Sequence, residues 1–213
     1  MDEERAYYTL TEKAFGSLAR YYNWMTLPLA RIRDRVVDLA GVEVDSRILD
    51  VATGTGQQAF AFARRGFEVV GVDLTDAMLA VARKNNPKGL VNFEVCDATH
   101  LRFEEGSFDV ACISFALHDM PLTIRGKVLR EMVRVTRPGG SIVIVDYALP
   151  RNKLGRFLIQ CLITIYEGKY YKQFIATDLE ALTREVGIET VEKCPVLLGA
   201  GRILKGIRPG DLP

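Results

Sequence analysis

The stretch Asp50-Val51-Ala52-Thr53-Gly54-Thr55-Gly56-Gln57-Gln58-Ala59 decides the fold class of this chain. It overlaps the end of Arg47–Ala52 (RILDVA), an apolar run that reads as a buried strand. It then opens Gln57–Arg65, which reads as a helix. Glycines between a strand and a helix let the backbone approach a ligand closely, because no Cβ stands in the way. Working outward, Phe67–Asp73 (FEVVGVD) predicts the next strand and Thr75–Asn85 the next helix. Asn92–Cys96 and Phe108–Phe115 follow as strands. A helix is expected over Thr123–Thr136, with Ile124, Val128, Leu129, Met132 and Val135 at helical spacing. Pro138-Gly139-Gly140 reads as its stop, and Ser141–Tyr147 (SIVIVDY) as a fully buried strand. Near-continuous apolar strands alternating with helices predict an α/β fold, a mostly parallel sheet with helices on both faces.

The two ends break that rhythm. Residues 1–40 are helical and rich in aromatics (Tyr7, Tyr8, Phe15, Tyr21, Tyr22, Trp24), which predicts a cap. Glu189–Cys194 and Arg202–Ile207 read as strands joined through Gly199 and Gly201, and so tight a connection permits only antiparallel pairing. The expected layout is one domain over 1–213. It comprises a cap (1–40), a ligand-binding core (41–150), a lid (151–178), and a final helix with an edge hairpin (179–213). The lid rests on Phe157–Tyr166 and Tyr170-Tyr171, an apolar and aromatic stretch that suits an apolar or aromatic ligand. The same stretch reads equally well as a buried helix or a homodimer interface.

Composition narrows the function classes. The chain has 213 residues, 48% of them hydrophobic, which excludes a disordered chain. Roughly 70–75% of the unfolded surface can be buried at this length, so no covalent staple is needed. Lys+Arg 28 against Asp+Glu 27 leaves a net charge of +1, with no global pull on nucleic acid or acidic lipid. The four cysteines form no C-x-x-C pair, and a disulfide framework is not expected. The acidic start Met1-Asp2-Glu3-Glu4-Arg5 is followed by no apolar signal core. The longest apolar stretch, Phe157–Tyr166, is about half of the ~20 residues a bilayer span needs. A soluble, cytoplasmic protein is the expectation. H-E-x-x-H, G-x-S-x-G and G-x-x-x-x-G-K-[ST] are absent and no metal-ligand spacing occurs, so no metal is expected.

Gly54, Gly56 and Ala59 satisfy the pattern G-x-G-x-x-G/A. Asp73 closes the second strand about 20 residues further on, where a carboxylate can accept from ribose hydroxyls. NAD and S-adenosylmethionine both carry an adenosine ribose, so this motif alone indicates an adenosine-type cofactor. Three details separate the two. Asp50, four residues before Gly54, suits a cationic ligand and would repel a pyrophosphate. Asp97, in Cys96-Asp97-Ala98 after the third strand, suits the exocyclic amine of adenine. The C-terminal hairpin is not how a two-halved dinucleotide fold ends. The balance favours S-adenosylmethionine, with a nicotinamide-dependent oxidoreductase and a non-catalytic S-adenosylmethionine-binding module as alternatives.

The run Ile48–Gly56, then Val69–Met78, Asp97-Ala98, Ser107-Phe108-Asp109 and Arg137–Gly140 resembles the class I S-adenosylmethionine-dependent methyltransferases. Within them it is most similar to the ubiquinone/menaquinone-biosynthesis C-methyltransferase group, over roughly residues 15–150. That group begins with a cap carrying a Tyr-Asp pair; Tyr22-Asn23 stands here. The resemblance implies a three-layer, Rossmann-like methyltransferase fold and methyl transfer to a small apolar or aromatic acceptor. It implies that Gly54, Thr55 and Gly56 wrap the methionine end of the cofactor and that Asp50 lies near its ammonium. Asp73 would hold the ribose diol, Leu74 and Met78 would flank adenine, and Asp97 and Ala98 would meet its edge. Ser114 would line the floor and Tyr22 would contact the cofactor from the cap. His118, in the loop after the fourth strand that faces the substrate in these enzymes, is the candidate general base. Its bland alternative is a loop histidine bonded to a backbone carbonyl.

Overall fold

The computed structural model describes residues 3–43, 45–150 and 170–210. Seven strands form one sheet. β1 (Arg47–Val51) pairs in parallel with β2 (Glu68–Asp73) on one side and β4 (Phe108–Ser114) on the other. β3 (Asn92–Val95) extends the sheet beyond β2, and β5 (Thr136–Tyr147) extends it beyond β4. β7 (Gly201–Ile207) lies antiparallel to both β5 and the outermost β6 (Glu189–Val196). The order is therefore β3-β2-β1-β4-β5-β7-β6. The chain leaves β1 towards β2 on one flank and later returns to its other flank with β4. That reversal opens a crevice at the carboxyl ends of the strands.

Successive side chains on a strand point to opposite faces, and both faces here are covered. Ile142, Ile144, Leu49 and Val51 face α5 (Leu122–Val135), α6 (Tyr171–Ala176) and α7 (Leu179–Glu185), packing with Leu129, Phe174 and Leu182. Val143, Val145, Ile48 and Val110 face α2 (Ala30–Ala40), α3 (Gln57–Ala63) and α4 (Asp76–Lys84), packing with Val36, Phe62 and Leu79. Three layers result. Asp178 caps α7 by accepting from the backbone N–H groups of Glu180 and Ala181.

Two expectations need correction. The cap is α1 (Glu3–Met25) with the short turn Leu27–Leu29. α2, expected as part of it, is a layer helix instead. Its Val36, Val37 and Ala40 are buried, and Ser141 Oγ donates to the Ala40 carbonyl at 3.1 Å. Pro138-Gly139-Gly140 does not stop the helix. α5 ends at Val135, and the three residues lie inside β5 as an irregularity where Phe108 faces Thr136 but Val110 faces Ser141. A Cβ on Gly140 would lie 2.8 Å from the carbonyl oxygens of both Arg137 and Asp109. Gly140→Ala is therefore expected to cost about 1–3 kcal/mol, read as a lower urea midpoint at constant m. An unchanged midpoint would show that the bulge relaxes freely.

Residues 151–169 of the expected lid lie outside the described residues. Among the described residues no helix is long and apolar enough to cross a membrane.

Candidate functional site

A cavity opens at the strand carboxyl ends beneath α1. Two residues on its wall, Ala52 after β1 and Phe115 after β4, hold φ of +52° and +51°. Such backbone costs residues with a Cβ about 1–3 kcal/mol each and clusters at functional sites. The loop between Ala52 and α3 is pinned by Thr53 N–H donating to the Val72 carbonyl at 2.9 Å. Gly54 takes φ +56°, and a Cβ there would press on Met78 Cε at 3.3 Å.

Carboxylates line this end of the cavity. Asp73 accepts the Gly54 N–H on one oxygen and the Thr75 N–H on the other, both at 2.8 Å. Each oxygen keeps a lone pair for a ligand. Asp50, 1% exposed, accepts the Thr53 hydroxyl at 2.5 Å. Burial pushes its carboxyl up to about 7, opposed by that hydrogen bond. Asp97 accepts the Thr99 N–H and hydroxyl on one oxygen and the Tyr8 hydroxyl on the other, each at 2.8 Å. A carboxylate offers about four acceptor sites, so about one is left for a ligand.

The cap closes over these groups. Tyr22 lines the cavity, and burial pushes its phenol up to about 12. Its neighbour Asn23 accepts the Thr55 hydroxyl at 2.5 Å, tying the cap to the glycine loop. Arg33 lines the cavity from α2, and its guanidinium donates to the Thr26 carbonyl at 3.0 Å. Sequence reasoning missed Arg33, which sits in a charge-rich helix and resembles a solvated residue. The available signal was its position beside the apolar stripe of Ile32, Val36 and Val37.

Of the predicted residues, Tyr22, Asp50, Gly54, Thr55, Asp73, Leu74, Met78, Asp97, Ala98 and Ser114 line this one cavity. Gly56 and His118 do not. Gly56 has φ +79°, and the Phe93 ring sits where its Cβ would be, at 2.6 Å. It makes the turn into α3 and packs away from the cavity. His118 is 7% exposed and turned inward. Its Nδ1 lies 2.8 Å from Asp146 Oδ1, its backbone N–H donates to Asp146 Oδ2 at 3.2 Å, and its ring packs edge-on to Tyr147. The charged side chain that lines the cavity from this loop is Asp119, whose Oδ2 lies 3.4 Å from His118 Nε2. The described cysteines, Cys96, Cys112 and Cys194, are buried and free.

A cavity lined by acidic groups at the carboxyl ends of a mostly parallel sheet, with an antiparallel strand beyond β5, has the architecture of the class I S-adenosylmethionine-dependent methyltransferases. Residues 49–144 match the methyltransferase domain family. A ubiquinone/menaquinone biosynthesis C-methyltransferase of Geobacter sp. (strain M21) is 35% identical over 161 residues, covering 67% of this chain and 68% of that protein. The chain belongs to this methyltransferase family. A demethylmenaquinone methyltransferase of Paenarthrobacter aurescens (strain TC1) is 38% identical over 140 residues, covering 63% of this chain and 54% of the relative. The chain thus spans about half to two thirds of the length of these relatives. A solved S-adenosylmethionine-dependent methyltransferase of Methanosarcina mazei shares the fold, with TM-score 0.66 and 21% identity over 83% of this chain and 98% of that one.

Proposed function

We propose that this chain, acting as one methyltransferase domain, transfers a methyl group from S-adenosylmethionine to a ring carbon of a quinol-type acceptor. The observation that carries this reading is the mixed lining of the cavity: Asp50, Asp73 and Asp97 present carboxylates to it, and Phe115, Met120, Ile124 and Val128 add apolar surface to the same lining. The co-substrate supplies a methyl on a positively charged sulfur, an activated leaving group. The residues present fit it. Asp73 keeps a lone pair on each oxygen for the two ribose hydroxyls, and Leu74 and Met78 supply apolar surface for adenine. Asp50 suits the ammonium, and Arg33 suits the carboxylate at the same end. The protein then needs chiefly to align a nucleophile with the methyl carbon in a water-poor pocket, worth ~7–11 kcal/mol of barrier. The names of the relatives support a quinone-class acceptor.

Calorimetric titration with S-adenosylmethionine, S-adenosylhomocysteine and NADH tests the cofactor. Micromolar binding of the first two alone is expected, and binding of NADH alone would overturn the proposal. Mass analysis after incubation with a reduced, short-chain prenyl naphthoquinol should then show one added methyl on carbon.

Asp50 makes the binding pH-dependent. Its folded carboxyl lies near 7, above the ordinary ~3.9, so the native state holds the extra proton. Stability of the free protein is therefore lost as pH rises through that window, while a bound ammonium favours the ionised carboxylate. S-Adenosylmethionine affinity is expected to fall by about tenfold from pH ~7.5 to ~6, with binding releasing a proton from Asp50 to buffer. Calorimetry in two buffers of different ionisation enthalpy measures both. Equal affinities at the two pH values would place the ammonium elsewhere.

A further inference from the structure

We propose that Asp119 takes the hydroxyl proton of the acceptor, positioned for that task by the buried His118–Asp146 pair. The inference rests on the methyl-transfer reading above.

The other cavity carboxylates described above are committed. Asp50 holds Thr53, Asp73 holds the backbone of Gly54 and Thr75, and Asp97 holds Thr99 and Tyr8. Asp119 lines the same cavity from the loop after β4, next in sequence to Met120, another lining residue. The Asp119 side chain is 31% exposed, and its Oδ2 lies 3.4 Å from His118 Nε2. Behind it, Asp146 is 0% exposed and accepts from His118 twice, at Nδ1 and at the backbone N–H. A neutral imidazole held this way carries its proton on Nδ1 and turns the Nε2 lone pair towards Asp119. Arg125 clamps the same turn, donating from Nε to the Leu117 carbonyl at 2.8 Å and from the guanidinium to the Tyr170 carbonyl at 3.1 Å.

The step balances. The acceptor O–H breaks and its proton goes to an Asp119 oxygen. The electron pair left on the acceptor oxygen enriches the ring carbon, which bonds to the methyl carbon as the carbon–sulfur bond breaks. That bond's electron pair stays on sulfur, which becomes a neutral thioether. The hydrogen on the methylated ring carbon moves as a proton to the ring oxygen and restores the aromatic hydroxyl. One proton remains on Asp119 and passes to His118 Nε2, from which it is released to solvent.

The titratable groups facing Asp119 are His118 beside it, Asp146 behind it, and Tyr7 and Tyr22 on α1, with Arg125 on α5 and Arg202 on β7 acting on Asp146. Burial raises the Asp119 carboxyl above the usual range, His118 lowers it and Asp146 raises it. A carboxyl shifted up is a better-matched acceptor for a phenolic proton. Burial also raises both tyrosines, which keeps them protonated and unfit as bases.

The test uses the full chain, S-adenosylmethionine and a reduced short-chain prenyl naphthoquinol between about pH 5.5 and 8.5. Asp119→Asn should lose about 10²–10³-fold in kcat, leave S-adenosylmethionine Kd within about twofold, and lose the acidic limb of the pH–rate profile. Asp119→Glu should recover at least about tenfold of that loss, and His118→Gln should shift the limb. A kcat for Asp119→Asn within about threefold of wild type, or an unchanged limb, overturns the proposal. If Asp119→Asn does not fold, an unchanged limb in both Asp119→Glu and His118→Gln overturns it equally. Wild-type protein that binds S-adenosylmethionine yet methylates no quinol overturns the functional reading and this inference together.

Discussion

Asp73→Ala is expected to weaken S-adenosylmethionine binding by about 10²–10³-fold. Two charge-assisted hydrogen bonds to the ribose hydroxyls would be lost, at about 1.5–3 kcal/mol each, of which water recovers part. The loop also loses its fixed shape, because the Gly54 and Thr75 N–H groups share this carboxylate as their acceptor. Asp73→Asn separates these effects. Its single acceptor oxygen can hold one N–H and one hydroxyl but carries no charge, and its NH2 replaces the second acceptor, so an intermediate loss is expected. Calorimetry on both variants, with a thermal melt as the folding control, decides the matter. An Asp73→Ala affinity within about threefold of wild type would remove the ribose from this carboxylate.

Much of this architecture is legible in the sequence because local chemistry fixes it. β1, the glycine loop and β2 announce themselves by apolar runs, by residues that tolerate positive φ, and by an acid at the strand end. Gly54 and Asp73 fall on the cavity for that reason. What stayed hidden depends on contacts between distant segments. Gly56 shares the motif spacing of Gly54, yet Phe93, from another strand, occupies the space beside it. Arg33 is brought into the cavity only when the Val36 and Val37 stripe docks α2 on the sheet. The direction in which His118 points is decided by Asp146, on β5, where the run SIVIVDY gives no hint that its acid faces inward. Pro138-Gly139-Gly140 carries the residues of a helix stop, but the strand pairing of Thr136 with Phe108 overrides them.

Asp146→Ala should cost stability more than any other single change considered, about 3–5 kcal/mol, because it leaves buried donors and cations without their acceptor. Asp146 accepts the His118 ring at 2.8 Å, the His118 backbone at 3.2 Å and the Tyr147 N–H at 2.8 Å. Its charge also favours the protonated guanidinium of Arg125, which is 0% exposed and lies 5.0 Å over the Phe174 ring. Burial pulls that guanidinium down to about 10, and Asp146 opposes the pull. Asp146→Asn keeps one acceptor oxygen and the shape, so about 1–3 kcal/mol is expected for it. Urea unfolding at neutral pH, with m unchanged, reads both. Asp146 is absent from the cavity wall, so S-adenosylmethionine affinity should hold while turnover falls with the loss of the His118 tautomer. A stability loss below about 1 kcal/mol for Asp146→Ala would mean that Arg125 and His118 find other partners. The geometry argues against that outcome. Among the described residues the Arg125 guanidinium donates to two backbone carbonyls and to the Thr177 hydroxyl at 3.5 Å, and none of these supplies a countercharge.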